Sequence, residues 1–417
     1  MSDQIITGLD IGSSHIRVAV GQIIDTEEKR ETHIIGAVDV PSEGISKGAI
    51  TSIEDAVSSV SGALEQAERV TGVPINNAWV GISGSHILAQ ESKGVVGVSR
   101  SDGEIKEEDV ERAIEAARTV ATPSNYEILH VLPKSFTIDG QAGIKDPVGM
   151  SGIRLEVDAE IIQGLSSQIK NITKCVYRTG LDIEDLVLSV LACAEAVLTQ
   201  RQKELGVALV NIGATTTSVI VFEEGDVLHT VVIPIGGDHI TSDIAIGLRT
   251  SIDVAERVKV EQGTAITAGI QKKDELNLAD FGAQDEEMVS LKYVAEIIEA
   301  RVEEIFEKVD TELKKIDRSG MLPAGVVLTG GGGKLKGIVE VCKDKMRLPV
   351  SLGYSMGVTS VTDKTQDLAY STAVGLVLWG GEIVGQQPRA LGNIFGKYKS
   401  VGKAGGQVKK WFKSLIP

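Results

Sequence analysis

Three glycine-rich segments of this chain have the residue types that hold phosphate. Gly12-Ser13-Ser14 and Gly213-Ala214-Thr215 each sit between two apolar β-type runs, and Gly330-Gly331-Gly332-Gly333 follows Val326-Val327-Leu328-Thr329. A triphosphate offers many oxygen acceptors, and backbone N–H groups reach them only where side chains do not intrude, so glycine and small hydroxyl residues suit a phosphate turn. The four-glycine run, between a strand pattern and a helix pattern, would let a flat adenine ring lie against the backbone. Any one of the three also reads as a plain turn; their order and spacing in one chain give them a joint meaning. The first two are copies of each other, because residues 9–20 (LDIGSSHIRVAV) line up with residues 210–221 (VNIGATTTSVIV) at an offset of 201.

The elements that must carry these turns follow from pattern. Both copies read strand, tight glycine turn, strand, one near the start of each half, which predicts two related lobes. Thr51 and Glu54 have capping-box spacing, and an amphipathic pattern runs on to Gly72, a helix stop. Residues 164–180 and 195–206 read as helices of the same kind. From about 83 to 162 the chain changes character: short strand-like runs at 94–98, 128–132 and 135–138 and one charged helix near 107–118 predict a small inserted α+β unit. Helices are predicted over 242–263 and 287–316, the second with Val294, Ile297, Ile298, Val302, Ile305, Phe306 and Val309 as a core-facing stripe.

Composition limits the function classes. A chain of 417 residues exceeds what one hydrophobic core supports, and 42% apolar with 24% charged residues is the balance of an ordered globular protein. Cys175, Cys193 and Cys342 are odd in number and far apart, with no C-x-x-C pair and no histidine at ligand spacing, which points to a reducing compartment. The N-terminal residues lack the basic flank of a secretory signal, and the most apolar stretch, 369–379, falls short of the ~20 residues that a spanning helix needs. A net charge of −16 disfavours nucleic acid as a partner. That figure conceals an opposition: from Pro388 onward there are seven basic residues and no acidic ones, so +7 there faces −23 on the remainder.

Residues 388–406, with five glycines among lysines, read as a flexible tether. Beyond it Val408, Trp411, Phe412, Leu415 and Ile416 fall at i, i+3, i+4, i+7 and i+8, and Lys409, Lys410 and Lys413 take the other side. This is the pattern of a helix lying in the plane of an anionic membrane surface. The same helix docked on the protein's own core is the alternative.

With two phosphate turns and an adenosine-type glycine run in this order, the chain resembles the actin, sugar-kinase and DnaK-type superfamily from Gly8 to about Gly385. More narrowly, residues 227–257 (VLHTVVIPIGGDHITSDIAIGLRTSIDVAER) with Val258-Lys259-Val260, residues 44–50 (GISKGAI), residues 189–195 (SVLACAE) and the insertion after Ile82 resemble the bacterial FtsA cell-division family. The resemblance implies an α/β, actin-like (ribonuclease H-like) fold of two lobes closing on ATP and Mg2+. It implies a first lobe of residues 1–82, 163–203 and 359–387 with an SHS2-like insert at 83–162. The second lobe would comprise 204–241 with 318–358 and a smaller subdomain, 242–317, followed by the linker 388–406 and a membrane helix at 407–417.

The same resemblance places Asp10, Gly12, Ser13, Ser14, His15, Asn211, Gly213, Ala214, Thr215, Thr216, Gly236 and Gly237 around the phosphates. Glu256 and Lys259 would approach the ribose, Gly331, Gly332, Gly333 and Leu335 would wall the adenine, and Asp10 would hold Mg2+ through water. The partners implied are the FtsZ C-terminal peptide, other copies of the chain in a filament, an anionic lipid surface on the cytoplasmic face at the division site, and other division proteins. Arg301 matches the position that would receive the acidic peptide; it also reads as an arginine paired with Glu304 or Glu299.

Two departures carry consequences. Asn211 stands where the superfamily's second phosphate motif usually begins with Asp, and an amide cannot act as a base. His15 stands where many relatives have Lys. ATP binding with slow or absent hydrolysis is therefore expected. An ATP-dependent small-molecule kinase and a type IV pilus assembly protein of the same fold are the alternatives.

Overall fold

The computed structural model describes residues 4–25, 30–99, 102–119, 123–271 and 273–385. The tether and the amphipathic residues Val408, Lys409, Lys410, Trp411, Phe412, Lys413, Leu415 and Ile416 lie outside the described residues.

The copy seen over a few residues of sequence is five strands deep in space. In the first lobe Gln4–Ile11, His15–Asp25 and Arg30–Pro41 form an antiparallel meander; Gln4–Ile11 also pairs in parallel with Asn77–Ile82, and that strand with Asp182–Leu188. In the second lobe Val207–Ile212, Thr217–Glu223 and Asp226–Ile233 repeat the meander, and Val207–Ile212 pairs in parallel with Val326–Thr329, itself parallel to Val350–Leu352. Register repeats as well, since Asp10 lies opposite Arg17 and Asn211 opposite Ser218. One short strand, Val358–Ser360, extends the first sheet beside Arg30–Pro41.

The parallel strands at the centre of each sheet are mostly apolar, as burial on two faces demands, with Asp10 and Asn211 near the ends that reach the cleft among the exceptions. In the first lobe the helix Ser371–Gly385 lies directly on Gln4–Ile11: a Cβ on Gly8 would sit 2.4 Å from the Ala373 carbonyl oxygen. The chain crosses between lobes at residues 198–199 and 353–357, and the crossings are tied by Met356 N–H donating to Ala196 O at 2.7 Å.

Several helix boundaries differ from the sequence expectation, each for a local reason. Ile53–Thr71 begins at Ser52, whose side chain makes no capping bond, so the Thr51–Glu54 box does not form; Gly72 does end the helix at φ 70°. A capping box occurs instead at Thr199 and Gln202, and it starts Gln200–Leu205 as a new helix after Ser189–Val197. The expected helix over 242–263 is two, because Arg249 adopts a left-handed conformation (φ 51°) after Gly237–Leu248 and Ser251 caps Ile252–Gln262. Leu291–Lys315 follows a short strand, Met288–Ser290, and its stripe is buried apart from the partly buried Ile297.

The insert is a four-stranded antiparallel sheet in the order Ile87–Gly97, Arg154–Leu165, Tyr126–Ile138, Gln141–Ile144, covered by the helix Glu107–Thr119. The runs at 128–132 and 135–138 belong to one strand. Its register against Arg154–Leu165 slips between Pro133 and Ser135, and this bulge accommodates a proline that has no N–H to give the ladder.

Glu160, on the central strand of the insert, is 3% exposed and takes a backbone N–H from Thr230 of the second lobe. Burial pushes its carboxyl from the usual 4.5 up to about 7, against the pull of Lys134. Within that window the folded chain holds a proton that the unfolded chain releases, so stability falls as pH rises toward 7 and is flat above it. The penalty is at most on the order of 3 kcal/mol. Glu160→Gln should therefore raise the thermal midpoint at pH 8 by roughly 2–4 °C and leave it unchanged at pH 4. Equal midpoints for the two chains at both pH values would contradict this.

Candidate functional site

The two glycine turns are built alike and meet. Gly12 donates its N–H to His15 O at 3.1 Å, and Gly213 donates to Thr216 O at 2.8 Å, the same closing bond in both copies. Thr215 Oγ1 donates to Ser13 Oγ across the gap at 2.9 Å. Between the turns lies a cavity of ≈ 90 Å³, lined by Asp10, Gly12, Ser13 and Ser14 from the first lobe and by Asn211, Gly213, Ala214, Thr215 and Thr216 from the second. Gly330 and Gly331 close it on a third side. Glycine is required at 330, where φ is 84° and a Cβ would stand 2.3 Å from Asn211 Oδ1.

Asp10 and Arg17 are the charged residues of that lining. Asp10 is half-buried, and loss of solvation lifts its carboxyl to about 6 in spite of the nearby Arg17 guanidinium. Among the described residues no group of three or more His, Cys, Asp or Glu side chains gathers to hold a metal ion. One carboxylate fits Mg2+, which keeps several waters and takes its other oxygens from phosphate. Asn211 donates from Nδ2 to Thr372 Oγ1 at 3.3 Å, and its side chain also bonds the buried Cys193 thiol, so the amide is fixed from behind. Burial drives that thiol far above its usual range and leaves it inert.

The sequence reading passed over Arg17. Its buried Nε has no hydrogen-bond partner among the described residues, and its guanidinium lies 5.8 Å from the centroid of Tyr370, whose hydroxyl donates to Asp39 at 2.6 Å. The signal was present, since Arg17 is the one charge within the apolar run 16–24, and a charge on a buried strand needs a reason. His15, expected in the cationic role, does not line the cavity. It contacts Ser14 Oγ at 3.2 Å, and burial followed by the Arg17 charge holds its pKa below the ordinary value.

The remaining expected residues are divided. Gly237 donates its N–H to Gly213 O at 2.9 Å, and a Cβ on Gly236 would lie 2.6 Å from the same oxygen, so this pair supports the second turn from outside the cavity. Lys259 Nζ contacts Glu256 Oε2 at 2.6 Å, Thr241 Oγ1 at 2.7 Å and Gly237 O at 3.3 Å; neither Glu256 nor Lys259 lines a cavity described here. Gly333 and Leu335 line a second cavity of ≈ 710 Å³ with Leu352, Tyr354 and Leu368, whereas Gly332 faces the Ile212 side chain.

Arg301 is not a free cation. Its Nε and Nη2 donate to Asp243 at 2.5 and 2.9 Å, and Nη1 donates to Glu304. The pairing with Glu304 that the sequence left open is present, and Asp243 on a second helix completes it. An acidic peptide binding at this position would have to displace both carboxylates.

Comparison with known proteins agrees with this geometry. Residues 208–375 match the family described as "Cell division protein FtsA", and residues 84–163 match "SHS2 domain inserted in FTSA". The FtsA protein of Pseudomonas aeruginosa is 38% identical over 379 residues, covering 91% of this chain and 90% of that protein. That of Bacillus subtilis is 39% identical over 391 residues, 94% of this chain and 87% of its own length. Among solved structures, a chain of the "PilM-PilN type IV pilus biogenesis complex" gives a TM-score of 0.64 at 15% identity, covering 90% of this chain and 98% of that one. MreB5 of Spiroplasma citri bound to ADP gives 0.53 at 14% identity, covering 91% and 97%. Fold and sequence agree that this is an actin-like, two-lobed α/β chain with an SHS2 insertion, and the chain belongs to the FtsA family of cell-division proteins.

Proposed function

We propose that this chain binds ATP with Mg2+ between its two glycine turns, hydrolyses it slowly or not at all, polymerises on the cytoplasmic face of the membrane and tethers the FtsZ ring there. The observation that carries the nucleotide reading is the facing pair of matched turns with a half-buried cation and a half-buried carboxylate lining the cavity between them. The N–H groups of both turns and the orphaned Arg17 Nε supply donors where a polyanion would lie. Asp10 would hold the metal ion's water shell, and bound Mg2+ would neutralise phosphate charge. A structural neighbour described as bound to ADP supports a nucleotide in this class of fold.

Membrane attachment rests on residues 407–417, where five apolar side chains alternate with three lysines. FtsZ is the partner implied by the family. Arg301 enters that role only by exchanging its internal carboxylates for those of a peptide.

Arg17→Ala tests the nucleotide site. Charge-assisted hydrogen bonds contribute about 1.5–3 kcal/mol, so the affinity for Mg·ATP should drop by roughly 10–100-fold while that for adenosine stays unchanged. Equal loss for ATP and adenosine, or no loss, would remove Arg17 from the phosphate site.

A further inference from the structure

The insert is fastened to the second lobe as well as to the first, from which it springs. Lys145, just after the strand Gln141–Ile144, donates to Asp226 Oδ2 at 2.5 Å and stands 3.2 Å from Glu224 Oε2. Both carboxylates sit at the tip of the hairpin Thr217–Glu223 and Asp226–Ile233, whose two turn residues, Glu224 and Gly225, are left-handed (φ 53° and 84°). Such a turn matches strand twist and keeps the ribbon stiff. On the same hairpin Thr230 gives its N–H to Glu160, and Phe222, Val227 and Val232 share one buried core with Leu129, Leu132 and Ile162 of the insert.

The other end of this ribbon is the second phosphate turn. Thr216 closes that turn and Thr217 begins the strand; Ser218 lines the cavity and contacts Ser83 Oγ, at the root of the insert, at 3.1 Å. One two-stranded element therefore has its tip held by the insert and its base in the cleft. The cavity between the turns, ≈ 90 Å³, is well below the ~300 Å³ at which small-molecule sites begin, so a triphosphate seated between the turns presses on both lobes. Any rotation about the two crossings displaces the ribbon relative to the first lobe, and the insert, rooted in that lobe, must follow it or let go.

We propose that the insert is coupled to occupancy of the cleft through this ribbon, the Lys145–Asp226 contact being the joint that gives when the lobes rotate. The proposal rests on the nucleotide reading above. Coupling of this kind is reciprocal: whatever factor the nucleotide exerts on the joint, the joint exerts on nucleotide affinity. A surface of the insert would then present a different position in the nucleotide-bound and free states, which gives an inserted domain of this size a means of signalling to partners.

The test uses the full chain, its charge reversals Lys145→Glu and Asp226→Lys, and the double reversal. Equilibrium affinity for Mg·ATP is measured for each, with amide exchange over residues 139–148 and 224–230 in the presence and absence of Mg·ATP. Each single reversal should shift affinity in the same direction by about 3–10-fold, and the double reversal should return it toward the starting value. In the unaltered chain, Mg·ATP should change exchange in both segments. Lys145→Gln, which removes attraction without adding repulsion, replaces any reversal that does not fold. Mg·ATP bound equally by all folded variants overturns the coupling alone, as does exchange indifferent to saturating Mg·ATP; an unaltered chain that binds no Mg·ATP overturns both readings.

Discussion

Asn211→Asp should raise the rate of ATP hydrolysis by about two orders of magnitude and make it steeply dependent on Mg2+. The substitution keeps the shape of the side chain, and its surroundings already suit a carboxylate: Thr372 Oγ1 lies 3.3 Å from the amide, and the hydroxyl can turn to donate. What changes is charge. Asp10 holds the equivalent place on the first hairpin, so the variant would face two carboxylates across the cleft. Without metal they repel, each raising the other's pKa, and nucleotide affinity should fall. With Mg2+ the pair becomes a stronger metal site, and one member is placed to order or deprotonate an attacking water, a role generally worth 10²–10⁴-fold.

Asp10→Asn in the Asn211→Asp background should abolish the gain, because it returns the cleft to a single carboxylate. Steady-state phosphate release with and without Mg2+ measures both effects. A variant that binds Mg·ATP as tightly as the parent yet hydrolyses it no faster would show that the missing carboxylate does not limit turnover.

How far the sequence revealed this site depends on how far chemistry constrained residue type. A hairpin turn open to phosphate admits little besides glycine and small hydroxyl residues, so Gly12-Ser13-Ser14 and Gly213-Ala214-Thr215 declared themselves, and the repeat exposed the two-lobed plan. Where side chains answer to several demands, the signal is mixed. Arg154–Leu165 alternates Glu156, Asp158 and Glu160 with apolar residues, so it reads as polar although it is the strand bonded to both neighbours at the centre of the insert. Pro133 divides a 13-residue strand on paper and only bulges it in space. Arg17 and Arg301 show the same limit from opposite sides. One looks like an ordinary strand residue and turns into a cleft. The other looks like a surface cation and is bound to Asp243 and Glu304.

Removing residues 407–417 should reduce binding to anionic vesicles by at least about 100-fold, because opposing charges matter there as much as grease. The chain without residues 407–417 loses three lysines and carries −19, so an anionic surface repels it, and only the four basic residues of 388–406 are left to oppose that repulsion. With the segment present, Val408, Trp411, Phe412, Leu415 and Ile416 offer roughly 7–12 kcal/mol on full burial. Lys409, Lys410 and Lys413 add about 1 kcal/mol each on anionic lipid. Ordering a helix from a free chain costs about 1–2 kcal/mol per residue before its own hydrogen bonds are counted, so little of that gain survives. A single tail therefore holds weakly, and joining two or more in a filament multiplies affinity by roughly 10²–10⁴. Binding should rise more steeply than in proportion to protein concentration, and Trp411→Ala with Phe412→Ala should flatten that rise before abolishing it. Changing the three lysines to glutamine should weaken binding to anionic vesicles far more than to neutral ones. Co-sedimentation of the shortened chain at parental levels would place the membrane contact elsewhere on the molecule, against its own charge.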